Sequence, residues 1–198
     1  MTLDLRDLTD QEVIARAQLG HEAAYRELIG RYQRPINSLV YRLVRDRELA
    51  EDLAQETFIK VLNALDRYDP RHKFSSWIFK IAHNTAIDQL RKREVATLSI
   101  DGSPYAESGE ETVATAFTPE SRGESPFEYT LNREIGREIE VALADLRPDY
   151  RTAIILWHLE GKPYDEIAEI MELPLGTVKT FIHRGRRELR KRLAHLRT

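Results

Sequence analysis

Residues that can face a core recur every three or four positions along most of the chain, and this spacing predicts α-helices. The period is cleanest between residues 47 and 65, at Ala50, Leu53, Ala54, Thr57, Phe58, Val61, Leu62 and Leu65. The strict alternation that marks a half-buried β-strand is not evident anywhere. The pattern therefore predicts an all-α fold.

Capping residues, glycines and prolines set the expected ends of these helices. Thr9 and Glu12 match a capping box, which starts a first helix near Asp10. A second helix is expected over 22–44, and Pro35 inside it should kink or divide it. Further helices are expected at 47–65, from a cap at Ser75 or Ser76 to about Arg93, from 126 to about 146, and at 149–160.

The stretch between residues 95 and 124 has a different character. It contains glycines and prolines, and residues 94–124 hold seven acidic side chains against Arg122 alone. Its apolar residues are sparse and aperiodic, which predicts a flexible acidic linker. We therefore expect two helical domains, one over 1–94 and one over 125–198.

A helix-turn-helix is predicted near the C-terminus. Residues 163–171 have the spacing of a short helix, and 172–176 contain the proline and glycine of a turn. A second helix is expected to start at a Thr177 cap and to run to Leu193. Such a pair places its second helix in the major groove of DNA.

The charge of the second helix agrees with DNA binding. Residues 176–198 carry eight lysines or arginines and one acidic residue, Glu188, although the whole chain has a net charge of -3. A local basic surface of this kind neutralises phosphates. A solvated basic helix, or one that docks on an acidic partner, is the alternative interpretation.

The third helix carries an acidic face opposite its apolar row. Asp52 and Glu56 are four residues apart, so their carboxylates point the same way. The helix contains no histidine, which disfavours a catalytic or metal role. The face is expected to serve as a docking surface, with plain solvation as the alternative.

The fourth helix combines aromatic, amide and charged side chains on one stripe. The members recur at spacings of three and four: Trp77, Lys80, Asn84, Asp88 and Arg91. Cations interleaved with Phe74 and Trp77 suit single-stranded nucleic acid, because bases stack on rings and phosphates meet cations. Burial of both aromatics in a core is the equally supported alternative.

Composition narrows the possible functions further. The chain has no cysteine, so disulfides and thiolate metal sites are excluded. Its N-terminus does not resemble a signal peptide, and its longest apolar run is too short to span a bilayer. We expect a cytoplasmic protein without membrane insertion, metal or cofactor.

Three segments together resemble the extracytoplasmic-function (ECF) group of bacterial RNA polymerase sigma factors. Residues 52–61, D-L-A-Q-E-T-F-I-K-V, are similar to the part of their second region that contacts the polymerase β′ subunit. Residues 74–93 resemble their promoter-melting and −10-reading helix. The segment 164–193, preceded by L-R-P-D-Y-R, is similar to the fourth region that reads the −35 element.

The resemblance implies a role for each matching position. The β′ and β subunits of core polymerase are the implied partners, with docking through Asp52, Gln55, Glu56 and Phe58. The implied contacts at the −10 element are Phe74, Trp77, Lys80, Asn84, Asp88 and Arg91, beside a base pocket in the loop 67–73. The implied −35 contacts are Lys179, Thr180, His183, Arg184 and Arg187.

The resemblance also implies an anti-sigma factor as a partner. Three positions depart from the family pattern: Glu172 in the turn, and Phe181 and Gly185 in the last helix. Two other functions compete with a sigma factor. A stand-alone helix-turn-helix regulator would bind palindromic duplex DNA without polymerase. An enzyme acting on nucleic acid would need a metal cluster, a phosphate loop or a nucleophile–base pair, and none is visible.

Overall fold

The computed structural model describes residues 4–100 and 126–197, apart from the side chains of 94, 96–100, 126–133 and 197. Helices and their connections make up all of this part of the chain, without a β-strand. The α-helices are α1 (Asp10–Gln18), α2 (Glu22–Val44), α3 (Arg47–Ala64), α4 (Phe74–Ile100), α5 (Pro126–Ala144), α6 (Pro148–His158), α7 (Tyr164–Met171) and α8 (Leu175–Arg192). The all-α prediction is confirmed.

Local signals explain several helix ends. The Thr9 hydroxyl accepts from the Glu12 amide, and the Glu12 carboxylate accepts from the Thr9 amide at 2.8 Å, so the capping box is present. Asp46 caps α3 by accepting from the Leu49 amide at 3.1 Å. After α1, Gly20 adopts a left-handed φ of 85° that suits glycine.

Pro35 was expected to kink or divide the second helix, and the division does not occur. α2 is one helix from Glu22 to Val44 with Pro35 inside it. An interior proline costs about 3 kcal/mol through a lost hydrogen bond and a steric clash. Ile36 and Leu39 next to it are fully buried, and their packing offsets that cost.

The fourth helix also begins and ends elsewhere than expected. It starts at Phe74, because the Lys73 carbonyl already accepts from the Trp77 amide at 3.1 Å. Ser76, one of the two predicted caps, instead donates its hydroxyl to Glu166. The helix continues to Ile100, into the predicted linker. The rest of that linker, residues 101–124, lies outside the described residues.

The helices form an N-terminal group, α1–α4, and a C-terminal group, α5–α8, that contact each other. α2 and α3 pack together most extensively within the first group, and α6 and α8 within the second. Between the groups, α4 packs on α7, and the C-terminal end of α2 contacts α5 and α6. Arg42 of α2 forms an ion pair with Glu140 of α5 at 2.8 Å.

Arg151 of α6 forms hydrogen bonds with both groups of helices. Its guanidinium donates to the Leu43 carbonyl of α2 at 2.9 Å and to the Leu146 carbonyl at 2.9 Å. These carbonyls lie at or just beyond helix C-termini, where cations are stabilised. Arg151 is 9% exposed, and this burial lowers the pKa of its guanidinium.

Candidate polymerase and nucleic-acid interfaces

The acidic face of α3 is exposed, as a docking surface requires. Asp52, Gln55 and Glu56 all lie on the solvent side of the helix, while Leu53 and Ala54 are buried on the other side. Glu56 forms an i,i+4 ion pair with Lys60 at 2.7 Å, and both side chains are about half exposed. Such a pair contributes little to stability and leaves the face available to a partner.

The apolar side chains on this face differ in their exposure to solvent. Phe58, the fourth predicted docking residue, is half-buried and packs against the core. Ile59 beside it is 59% exposed, which is unusual for a large apolar side chain. The sequence-based prediction did not include Ile59, because the period of the helix alone assigns it to the solvent side.

Aromatic residues cluster where α4 begins. The ring of Phe74 lies 5.3 Å from Tyr32, 5.5 Å from Tyr68 and 5.6 Å from Trp77, between centroids. Phe74 is 3% exposed, so its ring belongs to the core. Trp77 is only half-buried, at the edge of the cluster. Of the two interpretations of these aromatics, burial in the core fits Phe74. The Phe74 ring packs against Trp77, which lies at the edge of the core.

The loop before α4 has an internal hydrogen-bond network. The Tyr68 hydroxyl donates to the His72 carbonyl at 2.5 Å, and the Gln11 amide donates to the Pro70 carbonyl at 3.4 Å. Hydrogen bonds from Arg71 lower the pKa of Asp69 to about 2. These contacts hold the loop in one shape against α1.

A shallow pocket of about 200 Å³ opens between this loop, α1 and the start of α4. It is lined by Thr9, Asp10, Gln11, Tyr68, Lys73, Phe74 and Ser75. The wall therefore combines aromatic rings with a lysine, a carboxylate, an amide and hydroxyls. Its position agrees with the loop that the resemblance assigns to a base pocket.

The stripe on α4, which we call the α4 row, is divided into two parts. The row consists of Trp77, Lys80, Asn84, Asp88 and Arg91. Lys80 donates to the Glu172 carboxylate at 2.8 Å, and Asn84 donates to the same carboxylate at 3.2 Å. Asp88 and Arg91, farther along the helix, are exposed and only 3.9 Å apart.

The partners of the α4 row are acidic residues that the sequence analysis did not single out. Glu166, Glu169 and Glu172, named here the α7 glutamates, follow one another at intervals of three along and just after α7. Their spacing alone indicates one helical face. It does not indicate which helix that face contacts.

Glu166 is the most buried of the three. Its carboxylate accepts from the Lys73 ammonium and from the Ser76 hydroxyl at 3.1 Å, and it lies 3.6 Å from the Lys162 ammonium. Burial opposes its ionisation, but the hydrogen bonds from Lys73 and Ser76 and the nearby lysines outweigh that effect. The pKa of Glu166 is therefore lowered, and the carboxylate is charged at neutral pH.

Glu172 occupies the turn of the helix-turn-helix in a left-handed conformation, with a φ of 54°. A glycine adopts this conformation without a steric penalty, whereas other residues rarely do. Hydrogen bonds from Lys80 and Asn84 lower the pKa of the Glu172 carboxyl. The Glu172 side chain thus contacts the opposite group of helices.

The last helix begins at Leu175, so the predicted Thr177 cap is wrong. Pro174 is the N-cap, and its carbonyl accepts from the Thr177 amide at 2.9 Å and from the Val178 amide at 3.2 Å. Thr177 therefore lies inside the first turn. The fixed φ of Pro174 and its extended ψ of 140° supply the geometry of the turn without a side-chain cap.

All of the predicted −35 residues lie on the exposed side of α8. We call Lys179, Thr180, His183, Arg184 and Arg187 the α8 row. Val178 and Ile182 are buried on the opposite side of the helix. The Thr180 hydroxyl donates to the Gly176 carbonyl at 2.9 Å, and Arg184 donates to the Tyr150 hydroxyl at 3.4 Å.

Gly185 explains how α8 packs on α6. A Cβ atom at this position would lie 2.8 Å from Ile154 Cγ1 and 3.4 Å from Tyr150 Cβ. The glycine therefore permits a close approach of the two helices, and this packing offsets its cost of about 0.5–1 kcal/mol in a helix interior. The departure from the family pattern at Gly185 has a structural reason.

In residues 4–100 and 126–197, histidine and carboxylate side chains do not come together in a group that could hold a metal ion. No helix there is long and apolar enough to cross a membrane.

Two family sequence models match this chain, one in each group of helices. The sequence model of sigma-70 region 2 matches residues 28–95, and that of sigma-70 region 4 matches residues 136–189. The first match contains α3 and the α4 row, and the second contains the α7 glutamates and the α8 row. Each matched region thus includes the predicted contacts.

Whole-length relatives give the same result. The chain is 33% identical to the ECF RNA polymerase sigma factor SigW of Bacillus subtilis over 92% of this chain and 96% of the relative. It is 35% identical to the RNA polymerase sigma-H factor of Pseudomonas aeruginosa over 94% and 95% of the two chains.

A solved structure also resembles this fold. It is the sigma factor RpoE in complex with the anti-sigma factor NepR from Bartonella quintana, with a TM-score of 0.68 and 26% identity. The likeness covers 86% of this chain and 96% of that one. From the sequence relatives, the two matched regions and this fold, the chain belongs to the ECF family of RNA polymerase sigma factors.

Proposed function

We propose that the α3 face docks on the β′ subunit of core RNA polymerase while the two basic helices engage promoter DNA. The observation that carries this proposal is the separation of charge: Asp52, Gln55 and Glu56 are exposed on α3, and the cations of the α8 row are exposed on α8. A factor that bridges polymerase and DNA needs both surfaces on one chain. Sigma factors direct polymerase to promoters, and these surfaces supply the means.

At the −35 element, α8 enters the major groove. Lys179, His183 and Arg184 lie toward base edges and phosphates, whereas Arg187 contacts phosphate and positions the helix without reading sequence. At the −10 element, the α4 row follows the exposed single strand, and Trp77 provides a surface for base stacking.

The polymerase β subunit is the second docking partner, in addition to the β′ subunit.

The pocket beside Tyr68 and Lys73 receives an extruded base. Opening a duplex costs a few kcal/mol for each unstacked base, and a pocket with an aromatic wall and hydrogen-bonding groups recovers part of that cost. The chain contributes binding energy to DNA opening and carries out no catalytic step of its own. It acts in the cytoplasm, where polymerase and promoters meet.

A protein inhibitor of the anti-sigma class regulates this chain. The support is the Bartonella quintana relative, which was solved with the anti-sigma factor NepR and has the same fold.

The docking assignment is tested by measuring how tightly the chain binds purified core polymerase. The same polymerase is then used in transcription reactions on a library of double-stranded promoters. Replacing Asp52→Arg together with Gln55→Ala should weaken polymerase binding at least about tenfold, because a repulsive charge replaces an attractive one. The matched control, Glu22→Arg with Gln33→Ala, makes the same changes on exposed positions of α2. Unchanged binding in the first variant contradicts the docking assignment.

The same transcription reactions test the overall function. New start sites that share two spaced upstream motifs are the expected result with the wild-type chain. Failure to initiate, combined with tight binding to palindromic duplex DNA in the absence of polymerase, would overturn the proposal in favour of a stand-alone regulator.

A further inference from the structure

The pocket beside the loop 67–73 has an acidic wall that comes from α1, outside both regions that match the sigma-70 models. We infer that the Asp10 carboxylate in this wall selects the extruded base by its exocyclic amino group. The pocket then accepts adenine, cytosine or guanine and rejects thymine. The inference rests on the proposed function of the pocket as the receptor for an extruded base.

The aromatic wall of the pocket provides stacking and does not distinguish the bases. The rings of Tyr68 and Phe74 are both buried and meet edge to face, with centroids 5.5 Å apart. The Tyr68 hydroxyl already donates to the His72 carbonyl at 2.5 Å. Stacking on such rings tolerates every base, because each base has a π-face. Base identity must therefore be read by the polar groups of the pocket.

Two of those polar groups already have an acceptor of their own. The Thr9 hydroxyl donates to the Glu12 carboxylate at 2.7 Å, and the Lys73 ammonium donates to Glu166. A group whose hydrogen bonds are complete gains little from a base beside it. Asp10 differs from both, because a carboxylate has about four acceptor positions on its two oxygens.

Asp10 uses one acceptor position on each oxygen within the protein. Its Oδ1 accepts from Nη1 of Arg31 at 2.9 Å, and its Oδ2 accepts from the Tyr32 hydroxyl. The Asp10 side chain is 29% exposed, so it is not sealed from the pocket that it lines. Each oxygen therefore retains a position that a donor on the base can fill.

The two residues that hold the carboxylate are themselves fixed. Arg31 also donates to Glu27 at 2.8 Å and to a backbone carbonyl of the N-terminal segment at 2.7 Å. The Tyr32 ring packs edge to face on Phe74, with centroids 5.3 Å apart. Burial and the hydrogen bond to Asp10 raise the pKa of Tyr32, so its hydroxyl keeps its proton and remains a donor. An acceptor held on two sides loses little freedom when a base binds.

The four bases differ in what they offer to a fixed carboxylate. Adenine, cytosine and guanine each carry an exocyclic amino group that donates hydrogen bonds, and aspartate accepts from such a group on cytosine. Thymine has a carbonyl oxygen at O4 and no amino group. A thymine in the pocket would place two acceptors together and leave the carboxylate without its partner, which weakens binding.

Asp10 also has a structural role, since Arg31 joins it to α2. That role predicts an equal loss for every base when Asp10 is changed, whereas selection predicts a loss that depends on the amino group. Asp10→Asn separates the two. The Arg31 donor fixes the amide oxygen on its side, so the amide NH₂ lies toward Tyr32 and still has a hydrogen to donate to thymine O4.

The test uses holoenzyme assembled from core polymerase and the full-length chain. The probe is a fluorescein-labelled single strand with the non-template −10 sequence of a promoter that the library selects, and binding is followed by anisotropy. An abasic site is placed at each position in turn. Ser75→Phe, which fills the pocket from its lining, should remove the abasic penalty at one position and so identify the base that enters.

At that position, the natural base is replaced by its analogue without the amino group: purine for adenine, 2-pyrimidinone for cytosine or hypoxanthine for guanine. We expect each of these analogues, and thymine, to weaken binding about tenfold in the wild type and less than about twofold in Asp10→Asn. The matched control Asp7→Asn makes the same change on an exposed position of the N-terminal segment and should keep the full penalty.

The analogue series in the wild type decides the inference even if Asp10→Asn does not fold, which thermal unfolding shows. Equal binding of the natural base and its amino-free analogue overturns the selection by Asp10, and so does a preference for thymine. A penalty that persists in folded Asp10→Asn also overturns it.

The two proposals fail in different ways. If Ser75→Phe removes an abasic penalty but the amino group has no effect, the pocket receives a base and only the selection by Asp10 is overturned. If no position responds to Ser75→Phe, the pocket is not the receptor for an extruded base, and both proposals are overturned.

Discussion

The two basic helices of this sigma factor differ in what surrounds their cations. On α4, Lys80 is 39% exposed in its side chain and pairs with Glu172. On α8, Lys179, His183 and Arg187 lie in solvent, and no ion pair to them occurs in the described ranges. Similar residues on similar helices are therefore available to DNA in one case and occupied in the other.

The difference shows that a basic surface is not by itself an available binding site. Cations lower the energy of any nearby anion, and an acidic face of the same chain competes with DNA at a high effective concentration. The α8 row escapes this competition because the helix packs on α6 through Gly185, which leaves the row facing solvent. At the C-terminal end of α8, by contrast, Arg192 pairs with Asp145 at 2.6 Å. In α4 the polar row lies at the contact between the two groups of helices.

The largest effect we expect comes from disturbing the packing of α8 on α6. Replacing Gly185→Ala should lower the free energy of unfolding by about 1–2 kcal/mol, because the new Cβ overpacks the buried contact with Ile154. This is the opposite of the usual gain from replacing a helical glycine with alanine. Urea denaturation followed by circular dichroism measures the change.

The first turn of the same helix provides the control. A Cβ at Gly176 would meet no atom within 4 Å, so Gly176→Ala should be neutral or slightly stabilising. If both variants behave alike, the close approach of α6 and α8 is not what holds α8 in place.

A smaller effect is expected from the exposed cations of α8. Arg187→Ala should weaken duplex binding by about 1 kcal/mol on many sequences and reduce the salt slope by about 0.9, because one phosphate contact is lost. Titration of several duplexes at different salt concentrations measures both quantities. A loss confined to one base position would contradict the phosphate role of Arg187.

The smallest effect concerns pH and belongs to α4. Burial lowers the pKa of His83, whose ring contacts Asn84 and faces the charges of Asp149, Glu172 and Arg91. The folded chain therefore binds this proton less readily than the unfolded chain does. Stability contributed by neutral His83 is present above the unfolded pKa of about 6.5 and is lost as the pH falls toward the lower folded value.

Thermal unfolding at a series of pH values between about 5 and 8 measures this dependence. His83→Gln, which cannot titrate, should flatten the part of the curve just below pH 6.5. A curve that keeps its full pH dependence in His83→Gln would show that His83 is not the group responsible.

Local chemistry made much of the fold predictable. The capping box at Thr9, the period of α3 and the outward side of α8 depend on neighbours within a few residues, and these predictions agree with the structure. Where the prediction was wrong, a distant contact was the reason. α2 continues through Pro35 because its flanks are buried, and Ser76 does not cap α4 because it binds Glu166.

The sequence also placed the members of each predicted contact surface on one side of a helix. Asp52, Gln55 and Glu56 share a face through helical spacing alone, and so do the members of the α8 row. Phe74 and Trp77 could not be separated in this way, because both lie at apolar positions near a loop. Only the packing of Tyr32 and Tyr68 around Phe74 puts one ring in the core and leaves the other at its edge.

The helices, the charge of each face and the family could be predicted from spacing and residue type along the chain. Which faces meet depends on packing between segments that are far apart in sequence. The α7 glutamates and their partners on α4 are about 90 residues apart, as the Ser76–Glu166 and Asn84–Glu172 bonds show. Their pairing depends on how α2, α5 and α6 join around Arg151, and no local pattern encodes that joint.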